Sequence, residues 1–183
     1  MRVYLEPRLT VAGTLTLDGE RHQVSGTAWL NHAWGALSGL AGSGPGRLAL
    51  NRFQLQLDDG SELVCLHLRR RGGGGTPVPS CLLIAADGDT RLFRRRDLSL
   101  EPFGEPWLSA AGTAAYPLQW RLGIPALELE LTIAPLIDDQ ELALLGPAWS
   151  GTVVLDGRRG DTVVSGTGRL DLSGYAAAGD GGT

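Results

Sequence analysis

Apolar residues recur at every second position along much of this chain, and no other feature restricts its fold as strongly. The pattern is clearest in Phe53-Leu55-Leu57 and in Leu127-Leu129-Leu131-Ile133. Such alternation places the apolar side chains on one face of a β-strand. Tight-turn sequences divide the runs at Asp18-Gly19, Asp58-Asp59-Gly60, Asp87-Gly88 and Asp156-Gly157. The sequence therefore predicts an antiparallel all-β protein built from hairpins.

Length and composition predict a single domain with a substantial core. The chain has 183 residues, of which 43% are hydrophobic, and this is enough to fold unaided. The spacing of the turns predicts an antiparallel barrel of about eight to ten strands, because closure removes exposed sheet edges. We expect the domain to cover residues 1–175, with one short helical turn at residues 137–145 and a flexible tail at residues 176–183.

The hairpin around Asp58-Asp59-Gly60 has a predicted register. The odd positions before the turn and the even positions after it are expected to share the apolar face. Gln54, Gln56, Cys65 and His67 then fall on the opposite face. His67 is accordingly expected to contact solvent, as is His22.

Charge and residue usage exclude several function classes. The net charge of −4 argues against a nucleic-acid partner, which needs a basic surface. All sixteen basic residues are arginines, so Schiff-base and P-loop lysine chemistry are excluded. Arg69-Arg70-Arg71 and Arg94-Arg95-Arg96 are interpreted as solvated strand ends. Cys65 and Cys81 lie in aliphatic runs, which favours two small buried side chains over a disulfide.

Neither a cofactor nor a membrane span is expected. The three histidines lack the close spacing of metal ligands, and the glycine-rich segments 35–46 and 72–75 lack the strand-then-helix setting of a phosphate site. No apolar run approaches the roughly 20 residues that cross a bilayer, and the first residues have no signal-peptide character. These features predict a cytoplasmic protein.

One segment concentrates the side chains that could form a site. Residues 26–35 contain Trp29, Asn31, His32 and Trp34 where a predicted strand meets a glycine-rich loop. Binding and catalytic groups are frequent at such junctions. We interpret these side chains as facing an enclosed apolar space.

Seven motifs in order resemble those of the lipocalin-like carotenoid 1,2-hydratase (hydroxyneurosporene synthase) family. They lie at residues 7–15, 26–35, 56–60, 116–120, 139–142, 149–151 and 170–175. The resemblance covers nearly the whole chain, but it corresponds to the second half of the usual family member, which joins two barrels and holds its ligand near their junction. It implies a lipocalin-like barrel, a hydrophobic unsaturated substrate, and a possible homodimer that would supply the surface of the other half.

The resemblance implies two kinds of chemistry, and the departures from the family pattern bear on the choice. Relatives either add water to isolated carbon–carbon double bonds or cyclise polyene and polyketide intermediates by Diels–Alder-type reactions. Asn31-His32-Ala33-Trp34 stands where the family usually has an Asp-His-Glu-Trp element, and Ser150 and Asp171 each stand where it has Glu. Hydration of an unactivated alkene needs a protonated acid. Asn31 cannot supply that proton, which leaves His32 and Asp171.

A ring closure needs no acid, only a dry cavity that folds the reactant and a hydrogen bond to it. We therefore expect a cofactor-independent cyclase or isomerase that acts on a hydrophobic polyene or polyketide intermediate in natural-product biosynthesis. The candidate catalytic residues are His32, Asn31 and Asp171. The candidate substrate-binding residues are Trp29, Trp34, Gln54, Tyr116, Trp120, Trp149 and Tyr175. The alternatives are a hydratase or double-bond isomerase, and a non-catalytic carrier of hydrophobic ligands.

Overall fold

The computed structural model describes residues 2–34, 48–71, 76–110, 114–142 and 148–175. Contacts divide the chain into two compact units, Met1–Ala41 and Gly42–Thr183. The first contains β1 (Arg2–Leu17) and β2 (Glu20–Trp34). The second contains β3 (Leu48–Leu57), β4 (Glu62–Arg70), β5 (Val78–Ile84), β6 (Thr90–Arg94), β7 (Ser99–Phe103), β8 (Trp107–Leu108), β9 (Ala115–Tyr116), β10 (Gln119–Ile124), β11 (Leu129–Pro135), β12 (Glu141–Leu142), β13 (Ala148–Arg159) and β14 (Thr162–Ser173).

Three predicted segments, residues 35–46, 72–75 and 176–183, lie outside the described residues. The expectation of one domain over residues 1–175 stays a prediction.

The first unit is a long antiparallel hairpin. Leu17 at the end of β1 pairs with Glu20 at the start of β2. Asp18-Gly19 therefore forms the predicted two-residue loop between them. The register shifts between Glu6 and Leu9, where two residues of β1 face one of β2. This is a β-bulge, and it lies opposite Trp29.

The main sheet of the second unit is curled. Its ten strands are antiparallel, and its continuous path runs β6-β5-β4-β3-β14-β13-β11-β10-β7, with β12 paired to β13. If the nine strands of this path lay in a flat sheet, its two edge strands would be about 38 Å apart. Its two ends, β6 and β7, are joined by residues 95–98 alone, a link that spans at most about 17 Å. The sheet therefore bends into a half-barrel, which confirms the predicted antiparallel lipocalin-like fold.

Alternate residues of the curled sheet fill its interior. Phe53 and Leu55 on β3, Leu63 on β4, and Leu170 on β14 are fully buried. The same period-two pattern continues through β10, β11 and β13, so the predicted strand alternation is confirmed there. Burial of apolar area in this core, at about 25 cal/mol per Å², is the main stabilising contribution.

The β3–β4 turn has a different register from the one predicted. The Leu57 N–H donates to the Ser61 carbonyl at 2.9 Å, and the Gly60 N–H donates to the Leu57 carbonyl at 3.1 Å. Gly60 has a φ of 81°, a left-handed conformation that glycine adopts without strain. This is a three-residue loop closed by a bulge. It pairs Phe53 with Cys65, so the odd residues of both strands share one face.

His67 and Cys65 consequently point into the core, and the prediction that they lie on the outer, polar face was wrong. A change of one residue in loop length reverses the face of every later side chain in the strand. The two-strand pattern alone did not distinguish a two-residue loop from a three-residue loop.

The two cysteines form a disulfide, contrary to the prediction. Cys65 and Cys81 are direct partners on β4 and β5, with their Cα atoms 4.0 Å apart. Both residues are fully buried, as expected. The bond depends on β4 and β5 being adjacent with these positions in register, which the separate aliphatic runs do not reveal.

Two local predictions were misplaced. The helical element among the described residues is a 3-10 turn at Pro125–Leu127, whereas Glu141 and Leu142, within the predicted helical turn, form strand β12. Asp156-Gly157 is not a turn but part of β13. Gly157 is needed there because a Cβ atom would collide with the Glu130 carbonyl oxygen of β11.

We predict that Gly157→Ala destabilises the protein by about 1–3 kcal/mol, because backbone atoms of β11 must move to admit the methyl group. Urea unfolding followed by tryptophan fluorescence measures the effect. Gly123→Ala is the matched control, since the nearest obstruction is the rotatable Ser99 hydroxyl at 2.8 Å; we expect it to change stability by no more than about 0.5 kcal/mol. Equal effects of the two substitutions would contradict this account.

Candidate functional site

Two polar side chains are enclosed among apolar residues of the curled sheet. Asn51 on β3 and His67 on β4 are register partners, and they are 0% and 5% exposed. The Asn51 amide nitrogen lies 3.3 Å from His67 Nδ1, and it donates a hydrogen bond to the Tyr175 hydroxyl at 2.8 Å. We call Asn51, His67 and Tyr175 the polar cluster.

Burial keeps the His67 ring neutral. The apolar surroundings, and after them the positive charge of Arg69, lower the pKa of His67 from 6.5 to about 4, because both disfavour the imidazolium ion. With Nδ1 accepting from Asn51, the ring hydrogen is on Nε2. The ring meets Trp120 edge-on, with the centroids 5.2 Å apart. The cluster thus presents a neutral N–H donor beside an indole.

Aromatic rings continue from the polar cluster. The ring of Tyr175 lies 5.6 Å from that of Tyr116, which in turn stacks on Trp107 at 6.2 Å. We call these three rings the aromatic wall. The Arg69 guanidinium carbon lies 3.6 Å from the Tyr175 ring centroid, within cation–π range. Arg69, which the sequence placed at a solvated strand end, is half-buried and adjoins the polar cluster through the Tyr175 ring.

A carboxylate adjoins the aromatic wall. The Tyr116 hydroxyl donates to Glu141 Oε1 at 2.9 Å, and the Ser109 hydroxyl donates to Oε2 of the same carboxylate. Burial, followed by the hydrogen bond and the charge of Glu141, raises the pKa of Tyr116. The phenol therefore stays protonated at neutral pH and holds the carboxylate in place.

One atom of the polar cluster has an unused hydrogen-bonding capacity. The Asn51 side-chain oxygen is buried and has no hydrogen-bond partner. A buried polar atom of this kind costs about 1–3 kcal/mol unless a ligand or water satisfies it. Together with the His67 donor and the aromatic wall, it makes this end of the sheet the strongest candidate for a small-molecule site among the described residues.

Comparison with known proteins gives the family. The family model described as AttH-like matches residues 1–175. This chain belongs to the AttH-like family. No curated protein sequence matches it.

Two solved structures resemble this AttH-like chain. A putative AttH from Nitrosomonas europaea is 32% identical, with a TM-score of 0.76 over 95% of this chain and 52% of that one. Kievitone hydratase from Nectria haematococca is 22% identical, with a TM-score of 0.73 over 96% of this chain and 52% of that one; this second likeness concerns the fold. The chain spans about half the length of the solved structures it matches.

The structure brings some predicted site residues together. Tyr175 belongs to the polar cluster, and the rings of Tyr116 and Trp120 adjoin it through Tyr175 and His67 respectively. Trp120 also contacts Phe53 at a ring distance of 5.2 Å. The Trp120 indole N–H donates to the Pro117 carbonyl at 2.7 Å. Its polar atom is therefore already satisfied, so the indole would contribute only apolar contacts to a ligand.

Three other predicted residues make no contact with the polar cluster that involves hydrogen bonds or stacked rings among the described residues. Gln54 is buried, but strand alternation puts it on the opposite face of β3 from Asn51. Trp149 is fully buried on the same inward face as Asn51, and its indole N–H donates to the Asp138 carbonyl at 2.6 Å. Asp171 is the register partner of Arg52, again on the opposite face of the sheet from Asn51.

The surroundings of Asp171 favour its ionised form. Burial raises the pKa of this carboxyl, but a hydrogen bond from Ser150 and the charges of Arg52 and Arg169 outweigh it and bring the pKa below 3.8. Arg52 contacts Asp171 Oδ2 at 2.6 Å, and Arg169 contacts Oδ1 at 3.1 Å. An ionised carboxylate held by two arginines is suited to a structural ion pair and is a poor proton donor.

The four predicted residues on β2 belong to the hairpin unit. Trp29 and Asn31 lie on one face of the strand, and His32 and Trp34 lie on the other, because successive side chains alternate. The His32 and Trp34 rings are 5.1 Å apart, and Trp34 is 46% exposed. A ligand on one face of β2 would contact only one of these pairs.

The sequence analysis did not single out Asn51 or Arg69, and it placed His67 in solvent. Asn51 lies among the odd positions of β3 that were predicted to face the core, whereas the inward placement of His67 and Arg69 follows from the parity of the β3–β4 hairpin. The available signal was Gly60 as the third loop residue, a position that three-residue hairpin loops favour for glycine.

The described residues supply neither a metal cluster nor a membrane helix. No group of three or more His, Cys, Asp and Glu side chains within them could hold a metal ion. Nor does any helix within them have the length and apolar character needed to cross a membrane.

We predict that acid destabilises the folded protein through His67. Its folded pKa of about 4 lies below its ordinary value of 6.5, so its contribution is complete above pH 6.5 and is lost as pH falls toward 4. The loss should reach about 3 kcal/mol. Urea unfolding between pH 7 and pH 4.5 measures this dependence.

Two variants test whether His67 causes the pH dependence of stability. His67→Gln keeps an acceptor for Asn51 but does not titrate, so its stability should change much less over the same window. His22→Gln, at an exposed position of the hairpin, should keep the native dependence. The pKa values of Asp171 and Asp59 lie below 3.8, so their protonation acts below this window. A native dependence in His67→Gln would show that another group is responsible.

Proposed function

We propose that this chain binds a hydrophobic, unsaturated small molecule at the polar cluster and rearranges it, by cyclisation or double-bond isomerisation, without a cofactor. The observation that carries the proposal is the buried pair Asn51 and His67, in which the Asn51 side-chain oxygen has no hydrogen-bond partner although it lies in an otherwise apolar and aromatic interior. A site of this composition recognises a mostly apolar molecule through one polar group.

The state of the polar cluster fits a rearrangement. His67 is neutral and fixed by Asn51, so it can hydrogen-bond to a carbonyl or hydroxyl group without transferring a full charge. The aromatic wall and Trp120 provide flat surfaces against which a polyene can be held in a folded shape. Restricting a flexible chain in this way can lower an intramolecular barrier by as much as about 7–11 kcal/mol. Neither effect requires a protonated carboxylic acid.

Hydration is the second candidate. It is supported by the fold shared with kievitone hydratase and by Glu141 beside the aromatic wall, a carboxylate that could accept a proton from water. Addition of water would deliver a proton to one alkene carbon and hydroxide to the other. The neutral His67 is a weak acid for the first of these steps, which is why we place rearrangement first.

The residues on β2 enter the proposal as a second set of catalytic candidates. His32 and Asn31 carry the resemblance described above, and Trp29 and Trp34 flank them. The chain has three histidines: His67 in the polar cluster, His32 in the β2 set and His22 outside both. Substitution of each in turn compares the two sets directly.

We predict that the purified protein, with no added cofactor, converts a linear polyene bearing one terminal oxygen group, a hydroxyl or an enolisable carbonyl, into a product of unchanged mass and altered retention. Liquid chromatography with mass detection identifies the reaction: a mass gain of one water indicates hydration, and recovery of unchanged polyene with quenched tryptophan fluorescence indicates a carrier. Either of these results would contradict the rearrangement.

The catalytic group is then located with matched histidine variants. We expect His67→Phe, which keeps a ring against Trp120, to lower turnover about 100-fold, whereas His22→Gln should retain native turnover. His32→Gln tests the β2 set. Loss of turnover in His32→Gln together with native turnover in His67→Phe would assign catalysis to the hairpin and overturn the role proposed for the polar cluster. Near-ultraviolet circular dichroism confirms that each variant is folded.

A further inference from the structure

The orientation of the Asn51 carboxamide determines what this site can accept. Both of its amide hydrogens are directed to acceptors, one to the Tyr175 hydroxyl at 2.8 Å and the other toward His67 Nδ1 at 3.3 Å. The oxygen is consequently turned away from both partners. It is buried without a hydrogen bond, and Asn51 itself is 0% exposed. This oxygen can be satisfied only by a hydrogen-bond donor.

The neighbouring groups provide donors. Tyr175 accepts from Asn51, so its own hydroxyl hydrogen remains available. With Nδ1 accepting from Asn51, His67 carries its hydrogen on Nε2 and is a second donor. A ligand group at this point therefore meets one acceptor and up to two donors. A hydroxyl group, which both donates and accepts, is the simplest complement.

The charge near the polar cluster further restricts the chemical class of the ligand group. Arg69 covers the Tyr175 ring and donates to the backbone carbonyls of Ser173 at 2.7 Å and of Arg70 at 3.4 Å. No ion pair found among the described residues includes it. The positive charge of Arg69 opposes an ammonium group and stabilises partial negative charge on an oxygen.

We infer that the substrate presents an acidic hydroxyl group, a phenol or an enol, to the polar cluster, with its O–H donated to the Asn51 side-chain oxygen. This inference rests on the proposed function and names the polar end of its substrate. A ketone or ether would leave the Asn51 oxygen without a donor. A carboxylate would place its lone pairs against that oxygen. A phenol or enol satisfies the oxygen and gains from the nearby charge of Arg69 as its O–H bond polarises.

Binding of matched probe pairs tests the inference without any turnover. The probes are 2-naphthol with 2-methoxynaphthalene and 4-octylphenol with 4-octylanisole, each pair differing only in whether the oxygen carries hydrogen or methyl. Isothermal titration calorimetry should show about tenfold tighter binding of each hydroxyl compound to the native chain, since the ether leaves a buried polar atom unpaired. Equal affinities within each pair, or no binding of any probe, would overturn the inference.

Two substitutions on β3 test whether the hydroxyl group of the probe binds at Asn51. Asn51→Leu removes the acceptor at similar volume and should reduce the hydroxyl preference to about onefold. Gln54→Leu is the matched control, because it replaces another buried carboxamide of β3 on the opposite face of the sheet, and it should keep the native preference. A preference that persists in Asn51→Leu would assign the hydroxyl group to a different site.

The result is independent of the turnover assay. A hydroxyl preference without conversion of the polyene would leave the recognition intact and contradict the enzymatic proposal. Conversion of the polyene without a hydroxyl preference would support the enzymatic proposal and contradict the inferred recognition. If Asn51→Leu does not fold, Asn51→Asp replaces it. This variant keeps acceptor oxygens but loses the donors to Tyr175 and His67, and it should still bind each hydroxyl compound more tightly than its ether.

Discussion

The three-residue loop between β3 and β4 is the constraint on which the polar cluster depends. Because Gly60 adopts a left-handed conformation, Leu57 pairs across the loop with Ser61, and odd-numbered residues on both strands face inward. Asn51, Phe53, Cys65 and His67 share the interior for this reason. With a loop shorter by one residue, β4 would turn His67 outward and bring Val64 and Leu66 inward. The resulting core would be apolar, without a polar cluster.

The neutrality of the polar cluster follows from the same placement. A charged group inside this core would lose its hydration without a compensating partner, so His67 stays uncharged and is held by hydrogen bonds. Its chemistry is therefore that of fixed dipoles and aromatic surfaces. Asp171 shows the contrast, because on the other face of the sheet two arginines keep the carboxylate ionised. The two faces of one sheet thus support different chemistry.

The AttH-like family match extends over residues 1–175 and so covers both compact units. The motif at residues 26–35, which supplies His32 and Asn31, lies mainly on β2, whereas the buried polar cluster is formed by β3, β4 and the segment after β14. Each set combines a histidine with an asparagine and neighbouring aromatic rings. The motif at residues 26–35 directs attention to the set on β2, whereas burial within the sheet directs attention to the polar cluster.

The sequence by itself determined the fold class, because period-two alternation and Asp-Gly turns are local properties that nearly every strand displays. It also indicated Tyr116, Trp120 and Tyr175 as candidate ligand contacts through motif resemblance. The identity of the inward face in β3 and β4, the Cys65–Cys81 bond and the strand assignment of Asp156-Gly157 were decided by tertiary structure. Each depends on which residue of a neighbouring strand lies opposite, and loop length and strand order set that relation over distances that a local pattern does not encode.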